Sequence, residues 1–90
     1  MSSIRVSIAN RLGLHARPAT AFAQAAGRFR ASVEVRRCDG REWVDGKSIM
    51  QLLMLAATAG TELEIRARGD DAAEATTALE TLVKQRFDEE

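Results

Sequence analysis

The only histidine of the chain lies in the run Gly13-Leu14-His15-Ala16-Arg17-Pro18-Ala19-Thr20. The alanine-rich sequence that follows His15 predicts that a helix begins here. The first turn of a helix offers backbone N–H groups without intrahelical acceptors and the positive end of the helix dipole, which together stabilise a bound anion. Arg17 adds a guanidinium group, which pairs well with phosphate oxygens. This placement indicates a histidine that handles phosphate.

A plainer interpretation of the same residues is a helix-entry loop with a surface histidine. Three neighbouring features favour the functional interpretation. Gly13 permits a tight or positive-φ entry into the helix, Arg17 is two residues beyond His15, and Pro18 suits a first turn, where its missing N–H would have no intrahelical acceptor. An imidazole also titrates near neutral pH, so its free nitrogen acts as a nucleophile without strong activation.

The composition is that of one small domain without a strong overall charge. The 90 residues allow a single core, and we expect one domain over 1–90. Lys plus Arg and Asp plus Glu both number 13 and aromatic residues make up 4%, which disfavours nucleic-acid binding. No signal peptide or membrane-spanning run is evident. One cysteine and one histidine exclude an internal disulfide and a four-ligand zinc site in a monomer, so we expect no metal and a cytoplasmic location.

Hydrophobic periodicity predicts seven elements in the order β-α-β-β-α-β-α. The strands are predicted over 4–8, 31–37, 41–45 and 61–68, and the helices over 16–28, 48–59 and 71–87. Asp39-Gly40 predicts a tight hairpin turn, and Asp71 with Glu74 predicts a capping box. Alternating strands with one apolar face predict an α+β fold, an open-faced two-layer sandwich in which three helices cover one face of a four-stranded antiparallel sheet.

The second predicted helix has more apolar surface than one contact with a core requires. It begins at the N-cap Ser48, and projection at about 100° per residue gives two apolar arcs. One arc contains Leu52, Leu55, Ala56 and Ala59, and the other contains Ile49, Met50, Leu53 and Met54. The second arc is either covered by neighbouring loops or exposed for docking, and exposed methionines suit adaptable partner binding.

Residues 13–20 closely match the active-site signature of the HPr family, the histidine-containing phosphocarrier proteins of the bacterial phosphotransferase system. The predicted element order also resembles the open-faced sandwich of that family over nearly the whole chain. The resemblance implies that Nδ1 of His15 accepts a phosphoryl group from enzyme I and passes it to an enzyme IIA protein or domain. It further implies that Arg17 and the backbone amides of Ala16 and Arg17 stabilise the phosphoryl oxygens. A monomeric carrier without a cofactor is therefore expected, rather than a self-sufficient enzyme.

The segment Lys47-Ser48-Ile49-Met50-Gln51-Leu52 resembles a second motif of the family, in which a dedicated HPr kinase/phosphorylase modifies the serine. Gln51 departs from the glycine or small residue common at this position. Phosphate on Ser48 would be favourable toward its own helix dipole, but its charge would oppose apolar docking. The resemblance also implies a surface for docking partner proteins, formed by Leu14, Thr20, Lys47, Ile49, Met50 and Leu53.

Other functions stay open beside the carrier. One is a non-catalytic protein-binding module of the ferredoxin-like α+β type, and another is a regulatory HPr paralogue that acts only through Ser48. Retention of both His15 and Arg17 argues against the regulatory paralogue. Gly46-Lys47-Ser48 resembles the end of a P-loop, but five residues separate Gly40 from Gly46 where that motif needs four.

The branch of the phosphotransferase system also stays open. The ending over 86–90 resembles nitrogen-branch proteins, whereas the segment around Ser48 resembles sugar-branch proteins with serine regulation.

Overall fold

A computed structural model describes residues 1–88, which form strands, helices and a final 3-10 turn. The strands are β1 (Ser2–Ser7), β2 (Ser32–Arg37), β3 (Val44–Asp45) and β4 (Glu62–Arg68). The helices are α1 (Ala16–Gly27), α2 (Ile49–Met54) and α3 (Ala72–Lys84), followed by the 3-10 turn Arg86–Asp88. The predicted order of strands and helices is confirmed. Residues 89 and 90, the end of the segment that resembles nitrogen-branch proteins, lie outside the described residues.

The four strands form one antiparallel sheet in the order β1-β4-β2-β3. β4 lies inside the sheet, where Ile65 is opposite Ile4 of β1 and opposite Val35 of β2. The inward side chains of the strands form one hydrophobic core with those of the helices, including Phe22 of α1 and Leu79 of α3. The predicted α+β fold, with an open antiparallel sheet and three helices, is confirmed.

The hairpin between β2 and β3 differs from its prediction. The turn forms, since the Gly40 N–H donates to the carbonyl of Arg37 at 3.0 Å, but β3 contains only Val44 and Asp45. Trp43 lies outside the strand ladder, and the centroid of its ring is 3.8 Å from the guanidinium carbon of Arg66. Alternation alone predicts a longer strand, but only Val44 and Asp45 pair with β2.

Helix α2 ends five residues before its predicted end at Ala59. Ala56 has a φ of 51°, which lies in the left-handed region and stops the helix. The carbonyl oxygens of Leu55 and Ala56 accept hydrogen bonds from Nη1 of Arg37, both at 3.1 Å. Arg37, which is distant in sequence, therefore donates to carbonyl oxygens that would have accepted backbone N–H groups if the helix had continued.

The predicted capping box at α3 is wrong, because the side chain of Asp71 does not cap its own helix. Its two carboxylate oxygens instead accept the backbone N–H groups of Arg30 and Ala31 at 2.9 and 2.8 Å. Asp71 thereby joins the start of α3 to the entry of β2. The helix ends at Lys84 rather than at Phe87, which is buried within the 3-10 turn. No helix within residues 1–88 combines the length and apolar character that crossing a membrane requires.

Candidate functional site

His15 lies at the N-cap position of α1. Its backbone is extended, with φ −84° and ψ −168°, and its carbonyl accepts the N–H of Ala19 at 2.9 Å. The side chain is half-buried, whereas Ala16 and Arg17 in the first turn are exposed. Because first-turn N–H groups lack intrahelical acceptors, this end of α1 offers donors and a positive dipole beside the imidazole.

The loop before His15 is fixed by a tight turn that the sequence analysis identified only in part. Gly13 has a φ of 73°, and its N–H donates to the carbonyl of Asn10 at 3.2 Å. The Asn10 side chain is fully buried, and its Nδ2 donates to the carbonyl of Gly13 at 2.6 Å. The sequence reasoning missed Asn10, although an asparagine three residues before a glycine is a turn signal. This turn sets the position from which the chain enters α1.

Leu14 is wrongly predicted as a docking residue. It is only 4% exposed and belongs to the core. Its N–H donates to the carbonyl of Ala57 at 2.8 Å, which fixes the loop to the segment that follows α2. Leu14 therefore anchors the loop directly before His15 and presents little apolar surface to a partner.

Arg17 and Thr20 lie on one side of α1, as the helical spacing requires. They line a shallow depression together with Ala16, Ala21 and Gln24. The hydroxyl of Thr20 donates to the carbonyl of Ala16 at 2.7 Å. A solvated surface with an arginine beside it suits reversible binding of a phosphoryl group better than a closed pocket, which would oppose onward transfer.

The second apolar arc of α2 is exposed. Met50 and Met54 are 74% and 76% exposed, and Ile49 and Leu53 are also exposed, at 38% and 37%. We call these four residues the α2 patch. Leu52, on the opposite arc, is fully buried. An apolar group of this kind on a small helix is typical of a protein-binding surface.

Lys47 and Ser48 lie at the start of α2, beside the α2 patch. The Ser48 side chain accepts the N–H of Gln51 at 3.2 Å, which confirms the predicted N-cap. Nζ of Lys47 donates to the carbonyl of Phe29 at 2.8 Å. Ser48 caps the N-terminal end of α2, whereas Leu14 is bound to Ala57, which follows the C-terminal end of the same helix. The structure joins this helix to the His15 loop through the contact between Leu14 and Ala57.

A histidine at a helix start and an exposed apolar helix, both on an open α+β sandwich, are features that suit a small carrier domain that docks with other proteins. The family described as the PTS HPr component phosphorylation site matches residues 2–85. The chain belongs to this HPr family of phosphocarrier proteins.

The chain is similar to known HPr proteins over nearly its full length. The phosphocarrier protein HPr of Pseudomonas aeruginosa is 46% identical over 89 residues, which covers 99% of this chain and 98% of the relative. HPr of Neisseria meningitidis serogroup A is 48% identical over 84 residues, covering 93% and 92%. The crystal structure of HPr-C-His from Thermoanaerobacter tengcongensis has a TM-score of 0.93 and 38% identity, and it covers 100% of this chain and 99% of that structure.

Proposed function

We propose that the chain carries a phosphoryl group on His15, accepting it from enzyme I and passing it to an enzyme IIA protein or domain. The observation that carries this proposal is the position of His15 at the N-cap of α1, beside the exposed Arg17. Membership of the HPr family supports phosphotransferase-system partners in general. The specific donor and acceptor are part of the proposal.

The chemistry requires little from the carrier itself. The lone pair on Nδ1 of neutral His15 attacks phosphorus, and the bond from phosphorus to the donor histidine nitrogen breaks as the new bond forms. Arg17 neutralises phosphoryl oxygens, and the amides of Ala16 and Arg17 add hydrogen bonds from the first turn. Onward transfer reverses these roles, with a histidine of the acceptor as nucleophile. The partners supply the remaining chemistry.

Docking of both partners is assigned to the same surface. We place Ile49, Met50 and Leu53 of the α2 patch at its centre, with Thr20 and Lys47 at its edges. Ser48 is the proposed site for regulation by an HPr kinase/phosphorylase, since phosphate there would add about 1.5 to 2 negative charges next to the apolar surface. The carrier works as a monomer in the cytoplasm, and it uses no cofactor.

The test is phosphorylation by enzyme I with Mg²⁺ and labelled phosphoenolpyruvate. We expect wild-type protein to gain an acid-labile, alkali-stable label, as a phosphohistidine should, and His15→Ala to gain none. Arg17→Ala should retain the nucleophile and take up label more slowly. Circular dichroism of both variants controls for loss of fold, and enzyme IIA proteins from the sugar and nitrogen branches should then be compared as acceptors.

A protein-binding or purely regulatory module is the competing function. Folded wild-type protein that takes no label, with an enzyme I active on another carrier, would contradict the carrier and favour this alternative. A module of that kind would also bind its partner equally well after His15→Ala.

A further inference from the structure

The side chain of Arg37 joins the end of β2 to the C-terminal end of α2. Its Nη1 donates to the carbonyl oxygens of Leu55 and Ala56, both at 3.1 Å. Its Nε and Nη2 donate to the two carboxylate oxygens of Asp39 at 2.9 and 3.2 Å. A bidentate ion pair orients a guanidinium group well, so Asp39 fixes the direction in which Arg37 reaches α2.

The backbone that Arg37 holds has an uncommon conformation. Ala56 is in the left-handed region, with a φ of 51°, where the Cβ of a residue other than glycine meets steric resistance. A conformation of this kind persists only where the surrounding contacts determine it. Arg37 binds the carbonyl of the residue before Ala56 and the carbonyl of Ala56 itself.

Ala57, the residue after Ala56, connects the end of α2 to the loop before His15. Ala57 is buried, and its carbonyl accepts the N–H of Leu14 at 2.8 Å. Leu14 directly precedes His15. An unbroken series of contacts therefore runs from Asp39 through Arg37 and the segment 55–57 to the residue before the histidine.

We propose that Arg37 is a positioning residue, which holds segment 55–57 and thereby keeps His15 and the α2 patch in one fixed arrangement for partner proteins. This inference rests on the proposed carrier function. Without Arg37 the carbonyls of Leu55 and Ala56 turn to water, and the segment samples more conformations. A partner must then order it on docking, which weakens binding, while the bound complex still transfers the phosphoryl group.

The test compares Arg37→Ala with Arg66→Ala. Arg66 also forms an ion pair, with Glu34 at 2.8 Å, but it lies against the ring of Trp43 on the outer face of the sheet and, within residues 1–88, donates no hydrogen bond to segment 55–57. In Arg37→Ala we expect KM for phosphorylation by enzyme I to rise about three- to tenfold with kcat within about twofold, the size of effect that ordering a short segment produces. Amide hydrogen exchange at Leu14 should accelerate about tenfold. Arg66→Ala should leave KM and Leu14 exchange near the wild-type values.

Two milder variants keep the test valid if Arg37→Ala does not fold. Arg37→Lys retains the charge but cannot bind two carbonyls and a carboxylate at once, so it should restore KM only in part. Asp39→Asn weakens the orientation of Arg37, and it should change KM and Leu14 exchange in the same direction by a smaller factor.

The outcomes separate this inference from the function on which it rests. Wild-type KM and wild-type Leu14 exchange in folded Arg37→Ala would overturn the inference. Faster Leu14 exchange with unchanged KM in Arg37→Ala would show that Arg37 holds segment 55–57, but it would overturn the positioning role for partner proteins. If wild-type protein takes no phosphoryl group, the carrier function fails and the positioning role fails with it, whereas Leu14 exchange still reports whether Arg37 holds the loop.

Discussion

Gly13 lies so close to Ala57 that a Cβ atom at position 13 would clash with the Ala57 carbonyl oxygen. The same oxygen accepts the N–H of Leu14 at 2.8 Å. Gly13 also has a φ of 73°, a region that other residues adopt at a cost. The loop before His15 therefore meets the backbone after α2 at a distance that only glycine permits.

Gly13→Ala should destabilise the protein and disturb the histidine together. The methyl group meets the backbone of Ala57 rather than a side chain that could turn away, so the two segments must separate. We expect a loss of at least about 2 kcal/mol in the free energy of unfolding, from the left-handed conformation and the displaced contact. Urea unfolding measures the loss, and the rate of His15 phosphorylation should fall as well.

Gly27→Ala is the matched control for this prediction. Gly27 is the last residue of α1, and a Cβ atom built there meets no atom within 4 Å. Alanine favours helix over glycine, so the unfolding free energy should stay level or rise by about 0.5 to 1 kcal/mol. Equal losses in both variants would contradict the role given to the contact between Gly13 and Ala57.

Asp71→Asn should change stability in a pH-dependent way. The N–H groups of Arg30 and Ala31 that bind the carboxylate hold the pKa of Asp71 below its ordinary value. A carboxyl group with a lowered pKa in the folded state stabilises the fold above its unfolded pKa. That contribution disappears as the pH falls through the folded pKa, within about pH 5 to 2.

The urea midpoint of Asp71→Asn should therefore lie below that of wild type at pH 7, and the two midpoints should converge at acid pH. Asp70→Asn removes the same charge from the neighbouring exposed residue and should leave the midpoint near wild type at both pH values. A difference between Asp71→Asn and wild type that is constant with pH would contradict this assignment.

The interactions that the sequence did not reveal are those between distant residues. Strand alternation and the motif around His15 are local, so periodicity and residue type are sufficient to predict the fold class and the position of His15 at the start of α1. The end of α2 depends on Arg37, which lies 18 positions before Leu55. Asp71 bonds to Arg30, 41 positions away, in place of its own helix. No pattern within a single element contains such a partner.

The same distinction explains the error at Leu14. The family motif includes this residue, and motif spacing does not distinguish a contact with a partner from a contact with the core. Leu14 is buried and hydrogen-bonded to Ala57, a residue that lies within the predicted helix over 48–59 but follows the end of α2 in the structure. The exposure of Met50 on the second arc was an open question for a similar reason, because two apolar arcs on one helix do not show which one faces the core.

Met50→Glu should weaken docking without a loss of stability. Met50 is 74% exposed, so its replacement removes little core contact and should change the unfolding free energy by no more than about 0.5 kcal/mol. A charge in the α2 patch opposes burial against an apolar partner surface, and KM for phosphorylation by enzyme I should rise about tenfold.

Thr77→Glu is the matched control, because it adds the same charge to an exposed position on α3 and should leave KM unchanged. An equal rise in KM for both variants would indicate a general charge effect and contradict docking through the patch.

Ser48→Asp and Ser48→Ala should separate the two roles assigned to Ser48. The side chain accepts the N–H of Gln51 at 3.2 Å. Alanine cannot accept it and should cost about 1 kcal/mol in the free energy of unfolding, whereas aspartate is a good N-cap and should preserve stability.

Docking should be weakened by Ser48→Asp and not by Ser48→Ala, because only aspartate adds a negative charge at the edge of the α2 patch. KM with enzyme I should rise several-fold for Ser48→Asp and stay near wild type for Ser48→Ala. Equal KM values for the two variants would mean that charge at Ser48 does not reach the docking surface, and regulation by phosphorylation there would need another cause.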